Sequence, residues 1–567
     1  MVTRWVGVGL AAAALSCGAG CDDGGGGGAS GADAASSAPW ADVVHPPAFD
    51  VDAAEKLSPR ALLARLSLDL RGVRPTEAEV ARVDADPGAI AAITDEMLAS
   101  ARFPDRVRDL YAQVLRTRVE DFPVSAELLG FEPEEQAAVF ASIGEEPLQV
   151  IARVAAEDRP YTDLVTADWT MADERLALAW PVTYPAGATG WQVARYEDGR
   201  PMAGLLSENG VWWRYLSDGV NYGRGRANAV ARIFLCADFL DRPVDFPRDI
   251  DLTDEAGIRE AVRENTGCIG CHAGLDPLAS YLAGFQYTEK TAAEMIVYHP
   301  EREPQWRGMT ELAPGFYGAP GYSLRDLGRQ VAADPRFVTC AVETAWELLL
   351  RRPPDFRDAG EVDALTRARE AFLAGGLTIR ALFRAIVSDP RYALAEPWAE
   401  PKVVTPEQWG DVLEDWTGFR FESGGADILT TDETGLLTLA GGSDGRAGAE
   451  PAEVATATMV LSWRRTASAA ASWAVANPAP APAATVLFTE IDPAAEPATE
   501  AAFDDAAMRA QVVALHRRFF GAAIAPDGLE VRETLALWDK VHHIDGARAA
   551  WAAVLETLLR DPSLTLY

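Results

Sequence analysis

The chain has 567 residues, more than a single hydrophobic core serves, so two to four domains are expected. Its 49% hydrophobic and 24% charged residues exclude a largely disordered protein. With 51 Lys and Arg against 85 Asp and Glu, the formal charge of −34 repels phosphate backbones and anionic headgroups, which argues against nucleic acid as a partner. A solvated acidic surface is the plain reading of that charge, and steering of a basic redox partner is the sharper one.

The chain starts MVTRWVGVGLAAAALSCGAGCDDGGGGG, with Arg4, an apolar run from Trp5 to Leu15, and then small residues. This is the layout of a secretory signal, and the run is too short to span a bilayer. Small residues leading into a cysteine resemble the lipobox of bacterial lipoproteins, in which that cysteine is acylated. Both Cys17 and Cys21 qualify: Cys17 follows the apolar run more naturally, and cleavage at Cys21 would leave no stray thiol. Residues 1–21 are therefore expected to be a signal peptide with a lipobox-like end, and residues 22–54, rich in Gly, Ala and Pro, a flexible tether. No later stretch reaches 18 consecutive apolar residues, so no membrane-spanning helix is expected.

Beyond the tether the signals are mostly helical. Ser58-Pro59 is an N-cap and first-turn pair, with Leu62, Leu63 and Leu66 as the stripe and Gly72 as the stop. Thr76 and Glu79 make a capping box. Thr378 precedes Ile379, Leu382, Phe383, Ile386 and Val387, an amphipathic face that ends at Asp389-Pro390. The cassettes ADPRF at 333–337, SDPRY at 388–392 and RDPSL at 560–564 read as helix stops rather than an internal duplication. Strand signals are few, the best being ATMVLSW at 457–463 and ATVLF at 484–488, with NPAPAPAAT at 477–485 as a linker or loop. The expected class is mainly α, multi-domain, with few short strands and one segment that concentrates cysteine and histidine.

That segment is NTGCIGCHAGLDPLAS, Asn265 to Ser280, which gathers Cys268, Cys271 and His272 in a chain of only 6 cysteines and 6 histidines. Cys-x-x-Cys-His is the attachment sequence of c-type haem. Two thiols reach the two vinyl groups of one porphyrin, and the adjacent imidazole then faces the iron. The preceding residues, Thr253 to Gly267, read as a capped helix ending at Gly267, which would put the motif at a helix end. A zinc site would need a second ligand pair, a thioredoxin-like motif would follow a strand, and a disulfide across two residues would be strained. A single motif allows one covalent haem and argues against dihaem peroxidases.

Met295, His299 and Met309 follow at a distance from which the chain can return over the other haem face, and Met309 is the preferred sixth ligand. Cys236 and Cys340 are the pair left over, expected as a disulfide enclosing the haem segment, with two buried thiols as the alternative. Arg214, Arg224 and Arg226 lie among aromatics and could meet haem propionates, although ordinary packing is the plainer reading. GGSDG at 441–445 reads as a turn rather than a calcium loop, and His542-His543 as a solvated helix face.

The segment 229–284, AVARIFLC…RPVDFP…GIREAVRENTGCIGCHAGLDPLASYLAG, resembles the planctomycete-type cytochrome c modules, in which a cysteine-bearing helix, a proline-rich bridge and CxxCH followed by Asp-Pro occur in that order. Asp276-Pro277 matches the Asp-Pro, whereas LASYLAGFQY replaces the usual Gly-Phe and acidic-aromatic continuation. Leu66 to Phe103 is similar to the helical module of unknown function that precedes such segments, and Asp158 to Trp180 matches the stretch before the haem. Tyr322–Arg352 with Phe372–Tyr392 resembles the module that follows, and residues 396–567 more loosely resemble another part of such chains. The resemblance implies an exported haem protein and carries no substrate with it.

The organisation expected beyond the tether is an N-terminal helical domain at 55–228, the haem-bearing segment and following module at 229–395, and a C-terminal mainly helical domain at 396–567. The function expected is that of a monohaem c-type cytochrome-like lipoprotein of the periplasm or cell envelope, lipid-anchored to a bacterial membrane. It would exchange electrons with a redox partner protein or a small-molecule donor. Two alternatives stand beside it: a haem-dependent oxidoreductase with a substrate site in the helical body, and a surface-anchored scaffold with a structural haem. No hydrolase, nucleotide-binding or dinucleotide motif is present.

Overall fold

The computed structural model describes residues 49–217, 221–241, 254–423, 426–432, 435–446, 448, 450–479, 486–498 and 503–567. The signal peptide, Cys17, Cys21 and most of the expected tether lie outside the described residues, as does much of 477–485. Helices dominate and the strands are few and short.

The first helix, Pro59–Arg71, starts where Ser58 accepts from the Ala61 amide and stops at Gly72, whose φ of 75° suits only a residue without Cβ strain. Thr76 and Glu79 form the reciprocal box that opens Glu77–Ala85, and Glu79 also takes two 2.9 Å bonds from Arg71 of the helix before. Ile90–Leu98, Arg102–Leu115 and Gln136–Ala156 follow. Their apolar faces, including Leu63, Leu66, Phe103, Val107, Leu148 and Ile151, enter the largest core, which extends to Tyr392. That core takes side chains from both sides of residue 228, and residues 49–567 form one compact unit.

A small antiparallel sheet has Gln192–Tyr196 in the centre, flanked by Thr170–Ala172 and Val182–Thr183. The register pairs Thr170 with Ala194 and Val182 with Tyr196, which brings Thr170 and Tyr196 against the buried Glu146.

The helix expected to end at Gly267 ends earlier. Glu255–Glu264 stops at Asn265, and a new helix, Thr266–Ser280, contains the whole CxxCH motif and Pro277. Asn265 is the reason: its backbone is extended, and its side chain accepts from the Gly267 and Cys268 amides, which restarts the helix. The motif thus occupies the first turns of a helix rather than the end of one.

Cys236 caps the Arg224–Leu235 helix and is disulfide-bonded to Cys340 of Pro335–Leu350, with their Cα atoms 5.2 Å apart. The bridge spans 104 residues and encloses the CxxCH helix. A cross-link over so long a loop restricts the unfolded chain, so replacing both cysteines by serine should lower stability by about 2–5 kcal/mol in denaturant titration.

Thr378 caps Ile379–Val387 with all five expected apolar residues buried. The strand expected at 457–463 is instead the start of a helix, Ala457–Ala476. Thr456 caps it and the alanine-rich continuation extends it over five turns, outweighing the local β preference of Val, Leu and Trp. At 484–488, Leu487 and Phe488 are buried in irregular chain, while Thr485 and the residue before it lie outside the described residues. With Pro406–Thr417, Ala506–Phe520 and Leu529–Leu559 that helix encloses a second core around Trp409, Trp416, Trp538 and Trp551.

One polar cluster joins the two cores. Lys402 donates to Asp69 and to the Leu349 carbonyl, and Asp69 also accepts from Tyr392 at 2.7 Å and Tyr567 at 2.8 Å. The Lys402 and Tyr567 backbones exchange hydrogen bonds of 2.7 and 2.9 Å. Burial pushes the Asp69 carboxyl up, but the Lys402 ammonium and the hydroxyl donors outweigh it and hold it below the usual carboxylate range.

Candidate functional site

On the Thr266–Ser280 helix, Cys268, Cys271 and His272 stand at i, i+3 and i+4 and share a face. Both cysteines are free thiols and half-buried, and Cys271 packs against the main core. One turn after the histidine, the Asp276 carboxylate lies 2.9 Å from His272 Nδ1. Asp276 is 1% exposed, and Arg224 grips it from the neighbouring helix with Nε 2.7 Å from Oδ1 and Nη2 2.8 Å from Oδ2. Such a fork suits a buried carboxylate, which is costly to leave unpaired. Burial raises the Asp276 carboxyl, and the bonds from Arg224 and His272 more than offset this, leaving it below its ordinary range. An ionised carboxylate only accepts, so Nδ1 is the donor in this contact, and in the neutral ring that tautomer leaves the lone pair on Nε2.

His272 and Asp276 line a cavity of about 350 Å³, at the small end of ligand sites. Ile258, Val262, Ile269 and Leu312 form its apolar wall, and Arg224, Arg259, Arg263 and Met309 also border it. Of the three residues considered for the far side of a haem, Met309 borders the cavity and the other two are engaged elsewhere. Met295 is buried in a separate cluster, where its carbonyl accepts from Trp213. His299 has both ring nitrogens occupied, Nδ1 3.1 Å from Glu301 and Nε2 2.9 Å from the Glu294 carbonyl. Arg224 reaches this cavity; Arg226 is buried against the Tyr215 and Phe285 carbonyls, and Arg214 binds the Arg116 carbonyl at 2.7 Å.

The donor set suits a c-type haem: two free thiols and an imidazole on one helix face, the imidazole bordering a cavity of apolar and arginine side chains. The cysteines themselves are not among the residues lining it. Among the described residues no group of three or more His, Cys, Asp or Glu side chains is arranged to hold a metal ion, so the zinc reading of Cys268 and Cys271 gathers no further ligands there.

A larger cavity of about 810 Å³ opens between the N-terminal helices and the C-terminal part. Arg118 crosses its wall, 2.7 Å from Asp109 and 2.6 Å from Glu145, and Arg420 pairs with Asp411 at 2.7 Å. Burial and the nearby Asp109 push the Asp411 carboxyl up to about 6. No sequence motif pointed to these residues, which come from segments about 300 positions apart and converge only through folding.

Glu146 and Glu208 were likewise not singled out. Both are fully buried and meet at the Thr170 hydroxyl, 3.3 Å from Glu146 and 2.9 Å from Glu208. The hydroxyl has one proton to give, and its shorter contact is the one to Glu208. Glu146 further accepts from Tyr196 at 2.5 Å and from the Gly210 amide at 3.0 Å. Burial pushes the Glu146 carboxyl up to about 7, and burial with the neighbouring Glu146 charge pushes Glu208 well above the usual range. An acid whose folded value is raised stabilises less as pH rises: the native state keeps a proton that the unfolded chain releases near 4.5. The melting temperature should therefore fall between pH 5 and 8, and Glu146→Gln should flatten that slope in a calorimetric pH series.

The chain is thus a mainly helical protein with a CxxCH helix beside a small cavity. Residues 57–181 match the family model described as PSD4, a protein of unknown function (DUF1592). The match includes Leu66–Phe103 and Asp158–Trp180, two of the stretches that carry the resemblance, and stops before the CxxCH helix. No curated protein and no solved structure matches the chain.

Proposed function

We propose that the chain is an exported, monohaem c-type cytochrome-like lipoprotein that transfers electrons to or from a redox partner protein or small-molecule donor. One observation carries this reading: Cys268, Cys271 and His272 share a helix face, and Asp276 holds the imidazole by Nδ1 so that Nε2 is left for iron. When bound, the haem would supply reversible one-electron chemistry at its iron. Cys268 and Cys271 would anchor it, His272 would ligate its iron, Met309 would be the candidate second ligand, and the apolar side chains would pack against the ring. Export is supported by the signal-like start of the sequence and by the Cys236–Cys340 bridge, a bond that persists in oxidising compartments. Acylation at Cys17 or Cys21 would then tie the body to the envelope.

The test is an absorption spectrum of protein exported in a host with c-type maturation, before and after denaturation. Haem retained on the denatured chain supports the reading, and its absence overturns it.

The 810 Å³ cavity favours a second reading, an oxidoreductase whose substrate binds in the helical body and reduces the haem. Substrate-dependent haem reduction that is lost in Arg118→Ala would support it. Reversible redox behaviour with no turnover favours the carrier.

A further inference from the structure

We infer that Asp276 is the positioning residue of the proximal imidazole and that, with Arg224 as its counterweight, it sets the reduction potential of the site; this rests on the haem reading above. The basis is geometric. His272 Nδ1 meets a carboxylate oxygen at 2.9 Å, one helical turn away on the same helix, so ring orientation and tautomer are both fixed by an element that cannot slide relative to the histidine. The same oxygen, Oδ1, takes Arg224 Nε at 2.7 Å, and Oδ2 takes Nη2 at 2.8 Å. The carboxylate is thus shared between an imidazole that it makes more electron-rich and a guanidinium that withdraws part of that charge.

A hydrogen bond to a carboxylate gives the ring imidazolate character. A more basic nitrogen stabilises ferric over ferrous iron, and so lowers the potential. The counterweight acts in the opposite sense. Asp276 is 1% exposed while the Arg224 and His272 side chains are 21% and 24% exposed, so bulk solvent and salt screen the carboxylate less than a surface pair. A bound haem would supply one-electron chemistry there, and a lowered potential would suit one-electron transfer to an acceptor of higher potential, with Asp276 holding the Nδ1 hydrogen. Arg224 stands 52 residues before Asp276 on another helix, so a change in the packing of those two helices would alter the potential without touching a haem ligand.

Spectroelectrochemical titration of the covalently loaded protein decides this. Asp276→Asn should raise the potential, Asp276→Glu should return it part of the way, and Arg224→Gln should lower it. Opposite signs from the two partners are what a merely structural role would not produce. If Asp276→Asn does not accumulate, the sign for Arg224→Gln decides alone: a fall supports the assignment, and no change or a rise overturns it. Covalent haem in the parent chain with variants that move together, or not at all, overturns the role of Asp276 and leaves the haem reading intact. A parent chain without covalent haem overturns both.

Discussion

Serine at both 268 and 271 is expected to leave the exported chain with no covalent haem, while His272→Ala keeps the attachment and changes the spectrum of the iron. Thioether formation needs the two thiols, and only they are changed in the first variant. Iron ligation needs the imidazole, and only it is removed in the second. Each single cysteine variant should fall between, with one thioether and reduced yield. Both cysteines are only half-buried and form no disulfide, so serine at these positions removes little packing. Haem that survives denaturation in the double variant would show that it is held elsewhere. The two readouts, covalent retention and spectral type, separate attachment from ligation.

The largest effect on stability is expected at Lys402. Lys402→Met removes the cation nearest a carboxylate that is 1% exposed, leaving Asp69 the Tyr392 and Tyr567 hydroxyls as donors. Breaking one side of a buried pair costs about 3–5 kcal/mol, because the remaining charge stays desolvated. The cost falls at the junction of the two cores, since Lys402 also reaches the Leu349 carbonyl and its backbone pairs with that of Tyr567. Asp69→Asn combined with Lys402→Met should cost less than the sum of the single changes, as both charges are then gone. Urea titration of the three variants measures this; additive losses would mean that the pair is not coupled as the geometry requires.

Local signals carried much of the fold. Ser58, Thr76 and Thr378 each offer a side chain to a helix amide within three residues, so their caps were legible wherever the chain folds. The same local logic failed at 457–463, where β-prone residues were read without weight for the Thr456 cap and the alanines that follow. It also failed at Asn265, where a helix break within a polar run looked like continuous helix.

The candidate site divides in the same way. Cys268, Cys271 and His272 were readable because the motif is contiguous in the sequence, and helix geometry puts Asp276 one turn from the histidine. The Arg224–Asp276 pairing, the charged cavity around Arg118, and the Glu146–Glu208 pair were beyond the sequence as working groups. Their partners lie tens to hundreds of positions away, and burial, which turns an ordinary carboxylate into a paired or protonated one, exists only once those segments have packed. The helices and the CxxCH motif were legible before folding, both being products of short-range geometry. Tertiary structure decided what the imidazole leans on and which charges are removed from water, because desolvation and convergence are properties of the assembled chain.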